Sequence, residues 1–112
     1  MTIKDRIYEA LKSVEDKSFY ADTDYTGFPR VLFYLISNVP VRYSNKRHSN
    51  RIKYQVSYYS DHSLDVETDE SLMGIIDALE DKGLLTTNWL EVVSIDEKEN
   101  SSTYHYMLEV SG

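Results

Sequence analysis

The chain holds few residues whose types and spacing could bind a metal ion. His62 lies between Asp61 and Asp65 and is the one local group of metal-ligand types in the sequence. Turn and helix-cap roles explain these residues better, since aspartate side chains bond readily to nearby backbone. The other histidines, His48 and His105, lie far apart along the chain. We therefore expect no metal site.

Catalytic signatures are also missing from the sequence. There is no cysteine, which excludes disulfides, zinc–thiolate sites and thiol nucleophiles. The four glycines are scattered, so no phosphate-binding loop is present, and no serine lies in a nucleophile motif. The acidic pairs Asp69-Glu70 and Glu80-Asp81 fit the outer surface of a helix. We expect no catalytic residue, no cofactor and no enzyme activity.

Length and composition predict one folded domain over residues 1–112. Apolar residues make up 41% of the chain and charged residues 28%, which is typical of a globular protein with a modest core. No stretch approaches the roughly 20 apolar residues of a membrane span. The amphipathic N-terminus lacks the apolar run of a signal peptide. These features predict a protein that is made and kept in the cytoplasm.

Hydrophobic periodicity predicts two helices. Thr2 and Asp5 form a capping-box pattern ahead of a helix over residues 3–15. A second helix is expected from about Val66, capped by Asp65 or Thr68, with Gly83 at its end.

The remaining pattern predicts an α+β fold in the order α-β-β-α-β-β. Its four-stranded, mainly antiparallel sheet has both helices packed on one face. Strands are expected over residues 30–36, 52–58, 89–95 and 103–110, the first of them buried on both faces. Residues 16–27 are expected to be irregular, and Ser37–Asn50 is expected to form a long loop.

Charge is strongly segregated along this acidic chain, whose formal net charge is −7. Residues 25–60 contain no acid and six cations, so the rest of the chain has six cations against nineteen acids. This could be a solvated loop. It could also be a surface that docks its basic side against the acidic side of another copy or of a partner. The ten tyrosines fit strand packing, although Tyr43 and Tyr59 could belong to a protein interface.

The order and spacing of these elements resemble the tail-terminator and tail-to-head joining proteins of long-tailed bacteriophages. The resemblance covers most of the chain. It rests on the helix from Ile3 to Val14, the proline-led strand from Phe28 to Tyr34, the alternating strand from Ile52 to Tyr59, the helix pattern from Leu72 to Gly83, and the last strand from Tyr104 to Val110.

The resemblance implies a structural protein that forms a ring, typically of six subunits, on the end of the tail tube. Its partners would be its own copies, the tail tube protein and the head-side connector protein, and DNA would pass through without specific binding. The protein would occupy the host cytoplasm during assembly and then the tail or neck of the virion. The residues expected at subunit or partner interfaces are Arg42, Tyr43, Lys46, Arg47, Arg51 and Tyr59.

A different class of function stays open on the residues alone. The basic segment 42–53 carries interleaved tyrosines and could serve a small nucleic-acid-binding or regulatory module.

Overall fold

A computed structural model describes the backbone of residues 2–43, 46–96 and 101–112, and the side chains of residues 2–40, 51–92 and 104–112. Two helices and six strands follow one another in the order α1 (Ile3–Val14), β1 (Ser18–Tyr20), β2 (Arg30–Tyr43), β3 (Lys46–Ser60), α2 (Glu70–Asp81), β4 (Leu85–Thr86), β5 (Leu90–Asp96) and β6 (Ser101–Ser111).

The start of α1 confirms the predicted capping box. The Thr2 hydroxyl oxygen accepts a hydrogen bond from the Asp5 backbone N–H, and the Asp5 carboxylate accepts one from the Thr2 backbone N–H, both at 3.1 Å. The bond from the Thr2 backbone N–H lowers the pKa of the Asp5 carboxyl, because it stabilises the ionised form. Together the two bonds also satisfy two backbone donors that a helix start otherwise leaves unpaired.

The start of α2 differs from the expectation. Asp69 is the N-cap, and its carboxylate accepts from the Leu72 backbone N–H at 3.0 Å. The predicted cap Asp65 instead accepts from Glu67 N–H at 2.9 Å within a separate turn that precedes the helix. A turn and a helix start use the same residue types, which is why the sequence placed the boundary too early.

The end of α2 is as expected. Gly83 has a φ of 78°, in the left-handed region that glycine tolerates best. The N–H of Gly83 donates to Glu80 O at 2.9 Å, and the N–H of Leu84 donates to Leu79 O at 3.2 Å. This is the Schellman arrangement, and it brings Leu84 into the core.

The sheet contains the four expected strands and two short ones that were not expected. The main strands are antiparallel and lie in the order β2-β3-β6-β5. Strand β1 lies in the segment predicted to be irregular and pairs in parallel with β2. Strand β4 pairs with the end of β6. Strands of three and two residues are too short to show periodicity.

The predicted loop Ser37–Asn50 is wrong. Strand β2 continues to Tyr43, and β3 already begins at Lys46. A β-bulge interrupts the register between Leu35 and Ser37. Pro40 fits here because β2 has no strand on its other side at this level among the described residues.

The core lies between the helices and one face of the sheet, as expected. Cross-strand rows such as Val31–Tyr58–Tyr106 and Phe33–Val56–Leu108 supply the sheet side. The helices supply Ile7, Ala10, Leu11, Leu72, Ile75 and Leu79, all buried. Neither helix packs on the opposite face, called the open face below, within the described part of the chain.

Candidate assembly surfaces

Two ribbons project from opposite ends of the sheet because its strands are offset. Strand β3 pairs with β6 only from Lys53 to Ser60, so β2 and β3 run on together as a two-stranded ribbon. We call Ser37–Tyr43 with Lys46–Ile52 the basic ribbon. Each half has seven residues, or about 23 Å of extended chain. The longest dimension of the molecule is 55 Å.

The basic ribbon brings most of the predicted interface residues together. Arg42 pairs with Arg47 and Tyr43 with Lys46 in the backbone register. The side chains of these four residues lie outside the described part of the structure. Arg51 is exposed and is paired with Val39. The ribbon sequence contains four cations and no acid.

Tyr59 does not join this group. It lies eight residues along β3 from Arg51, which is about 26 Å of extended strand. Its ring stacks on His105 with 4.5 Å between ring centroids, and the Arg30 guanidinium lies 4.9 Å from its ring centroid. Tyr59 is half-buried in this position. Its predicted interface role remains a prediction.

His105 has an unusual environment beside Tyr59. Its Nε2 atom is buried and has no hydrogen-bond partner among the described residues. Burial lowers the pKa of the imidazole because a low-dielectric environment disfavours its charged form.

The other ribbon is acidic and lies at the far end of the sheet. Past the Val93–Tyr104 pair, β5 and β6 continue beyond the end of β3. We call Ser94–Asp96 with Ser101–Thr103 the acidic ribbon. The sequence from 94 to 103 contains Asp96, Glu97 and Glu99 against Lys98. Asp96, the one charged residue of the acidic ribbon as defined, therefore lies at the opposite end of the sheet from the basic ribbon.

Apolar side chains are exposed where the basic ribbon leaves the sheet. Leu35, Ile36 and Val39, here called the hairpin-base patch, are 42%, 39% and 53% exposed. The expectation that the strand is buried on both faces is wrong. Tyr34 on the open face is exposed because neither helix packs there within the described residues, and strand β1 pairs only with Val31–Phe33.

A second apolar surface lies at the opposite edge of the sheet. Leu85 of β4 and Leu90 of β5, here called the β5 patch, are 73% and 63% exposed. Leu90 pairs with Met107, and both help to line a cavity of about 290 Å³ on the open face. Periodicity could not reveal this patch, because Leu85 and Leu90 begin strands that sit at the sheet edge.

The outer surface of α2 is acidic as well. Glu70, Asp77, Glu80 and Asp81 are exposed, and the helix contains no cation. The lysine ion pairs among the described residues join Lys53 to Glu109 and Lys82 to Glu9, so none uses an acid of α2.

The residues with metal-ligand types form a turn. His62 Nδ1 lies 2.8 Å from an Asp61 carboxylate oxygen, and both side chains are exposed. Within the described ranges, no group of three or more His, Cys, Asp or Glu side chains could hold a metal ion. The helices described here are also too short and too polar to cross a membrane.

Comparison with known proteins gave likenesses among solved structures. A scan against protein-family models found no match, and neither did a search of curated proteins. Among solved structures, the chain is similar to one from the virion of a native gene transfer agent particle. The identity is 11% and the TM-score 0.41, over 95% of this chain and 92% of that chain. Values this low do not establish a common function.

Proposed function

We propose that this chain is a structural virion protein of the tail-terminator or tail-to-head joining type. Copies assemble head to tail into a ring of about six subunits that ends the tail tube. The ring forms in the host cytoplasm and then stays in the tail or neck of the virion. The observation that carries this proposal is the placement of a basic and an acidic ribbon at opposite ends of one sheet.

Opposite charge at opposite ends favours a head-to-tail contact over a symmetric one. In a two-fold dimer that joined like ribbons, like charges would face each other and repel. In a head-to-tail contact, the basic ribbon of one copy meets an acidic surface of the next. Such heterologous contacts form a ring when the rotation between copies closes.

The basic ribbon also has a physical reason to find a partner. An isolated two-stranded ribbon is marginally stable in water. Within the described residues, each half of this ribbon pairs only with the other half. A partner that covered the ribbon and its exposed apolar base would bury apolar surface and so stabilise the ribbon.

The proposed ring leaves surfaces for other partners and requires no catalysis. Its two rims would face the tail tube protein and the head-side connector protein. The acidic net charge of −7 suits a passage for DNA, because a basic lumen would retain phosphate groups.

Tail-tube growth provides the functional test. Purified tail tube protein is allowed to polymerise, this protein is added during growth, and tube lengths are measured by electron microscopy. We expect growth to stop at the length reached on addition, with one extra ring at a tube end. Tubes that keep growing and carry no extra ring would overturn the terminator role.

The charge dependence of capping has a matched control. We expect the triple variant Arg42→Glu, Lys46→Glu and Arg47→Glu to lose capping. The triple variant Lys4→Glu, Lys12→Glu and Lys17→Glu makes the same change in net charge around α1. It should still cap tubes, and its failure would mean that net charge, rather than the basic ribbon, decides binding.

A nucleic-acid-binding module remains the second candidate. One observation favours it: most cations of segment 42–53 lie on a two-stranded β-ribbon, an element that the DNA major groove admits. The acidic net charge opposes it. A titration with duplex and single-stranded DNA at several salt concentrations separates the two candidates, since DNA affinity that falls steeply with salt would favour this second role.

A further inference from the structure

We infer that the hairpin-base patch of one copy packs against the β5 patch of the next copy, so that the two edges of each sheet form one repeating interface. This inference rests on the proposed head-to-tail assembly and specifies the surface that holds it together. The partner is a second copy of this chain.

The two patches lie on opposite edges of the sheet. The strand order is β1-β2-β3-β6-β4, and β5 also pairs with the outer side of β6. Leu35–Val39 lies in the part of β2 that β1 does not pair with, so it forms one edge of the sheet. Leu85 and Leu90 belong to the other edge. A molecule with an apolar patch on each of two opposite edges can add copies repeatedly in one direction.

Each patch places an exposed apolar residue on the open face. Leu85 and Leu90 pair with β6 residues four positions apart, so both lie on that face, about 13 Å apart along the strand. Leu35 and Val39 pair with β3 residues three positions apart, so they lie on opposite faces, and Val39 is the one on the open face. Leu85, Leu90 and Val39 are the three most exposed large apolar residues in the described part of the chain.

The shape beside Leu90 suits an inserted side chain. The cavity of about 290 Å³ is lined by Leu90, Met107 and Leu108, with polar groups at its margin. A single aliphatic side chain of the hairpin-base patch, such as Ile36 or Val39, fits such a space. Its insertion would bury apolar surface on both copies.

Charges beside the patches are complementary. Exposed Arg51 is the register partner of Val39, and Glu109 lines the same cavity as Leu90. Contact between the patches brings this cation and this acid near each other. Unlike charge at the rim of an apolar contact fixes its register and disfavours contacts between like patches.

The absence of cysteine permits a clean cross-linking test. The double variant Val39→Cys with Leu90→Cys is oxidised at concentrations where the protein associates, and its products are separated without reductant. A disulfide requires Cα atoms within about 7 Å, so cross-links report direct contact. We expect a ladder of covalent trimers and larger species. Neither single variant can form species beyond a dimer, because one cysteine makes one bond.

The matched control places the second cysteine on the exposed surface of α2, in Val39→Cys with Met73→Cys. We expect its ladder to be weaker by about tenfold or more, because the cysteines do not approach bonding distance. Equal ladders in both double variants would overturn the inference.

A charge-swap experiment tests the same surface without cysteine. Arg51→Glu and Glu109→Arg should each weaken self-association, and the two changes together should restore much of it. The unmodified protein could form oligomers while the Val39–Leu90 cross-link and the recovery in the charge swap are both missing. That combination would overturn this interface but not the proposed ring. A protein that stays monomeric under every condition would overturn both.

Discussion

At the residue scale, Tyr106 links the sheet to the segment that precedes α2. Its ring is fully buried, and its hydroxyl donates to Leu64 O at 3.1 Å and accepts from Leu64 N–H at 2.7 Å. A single phenolic group thus satisfies both backbone polar groups of one residue 42 positions away in the chain.

We expect Tyr106→Phe to lower the free energy of unfolding by about 1–3 kcal/mol, because it leaves two partly buried backbone groups unpaired. Urea denaturation measures the change. Tyr8→Phe, at an exposed position on α1, is the control and should leave stability nearly unchanged. Equal effects of the two substitutions would show that the Leu64 bonds contribute little.

His105 predicts how stability depends on pH. Burial holds its pKa below the ordinary value of 6.5 in the folded state. Above pH 6.5 the imidazole is neutral in both states. Below pH 6.5 the imidazole is protonated in the unfolded chain but stays neutral in the folded protein. The free energy of unfolding therefore decreases as pH falls towards the lowered pKa. The slope contributed by one such group approaches about 1.4 kcal/mol per pH unit.

Replacement of the histidine tests this contribution. We expect His105→Gln to flatten the decline between pH 7 and pH 5 measured by urea denaturation. His62→Gln, at an exposed position, should leave it in place. Parallel curves for the wild-type protein and His105→Gln would contradict the assignment.

Sequence reasoning could not assign such roles to single tyrosines. Tyr54, Tyr58 and Tyr106 are buried, whereas Tyr8 and Tyr34 are exposed. Strand alternation correctly placed Tyr54 and Tyr58 on the buried face. The hydrogen bonds of Tyr106 depend on a contact far away in sequence, which no local pattern contains.

At the element scale, the predictions of helices and strands succeeded where an element has one buried and one solvent-exposed face. The helix α1, the core of α2 and the alternating part of β3 all have such faces, so their periodicity was readable. It failed in the basic ribbon. No alternation marked those residues, and among the described residues no third strand joins the pair there.

The cap of α2 gives a prediction at this scale. We expect Asp69→Ala to lower the free energy of unfolding by about 1 kcal/mol, because its carboxylate accepts the Leu72 N–H at the helix start. The effect is measured by thermal or urea unfolding. Thr68→Ala removes the cap that the sequence suggested and should have little effect. A larger loss for Thr68→Ala would restore the earlier helix boundary.

At the scale of the whole molecule, the sequence revealed the charge segregation but not its geometry. The count of acids and cations shows that residues 25–60 are purely basic. That the cations of the basic ribbon and Asp96 lie at opposite ends of one sheet follows from strand order and register. Register depends on long-range pairing, so composition could not supply it.

The apolar patches were hidden for a similar reason. Leu85 and Leu90 look like ordinary strand residues in the sequence, and they are exposed because the sheet ends beside them. Whether an apolar residue is exposed at an edge depends on which strand is last. The predicted interface residues came from charge and from tyrosine enrichment, and they missed the apolar surfaces.

Head-to-tail self-association is the central claim, and light scattering behind size exclusion tests it most directly. The wild-type protein and the variant Arg42→Glu, Lys46→Glu and Arg47→Glu are measured over wide ranges of protein and salt concentration. We expect the wild-type mass to rise from that of a monomer towards that of a closed ring of about six subunits, and salt to weaken this rise because it screens the attraction between the basic ribbon and the acidic surface of the next copy. The variant should remain monomeric. A wild-type protein that stays monomeric at every concentration and salt, or that stops at a dimer, would contradict the account.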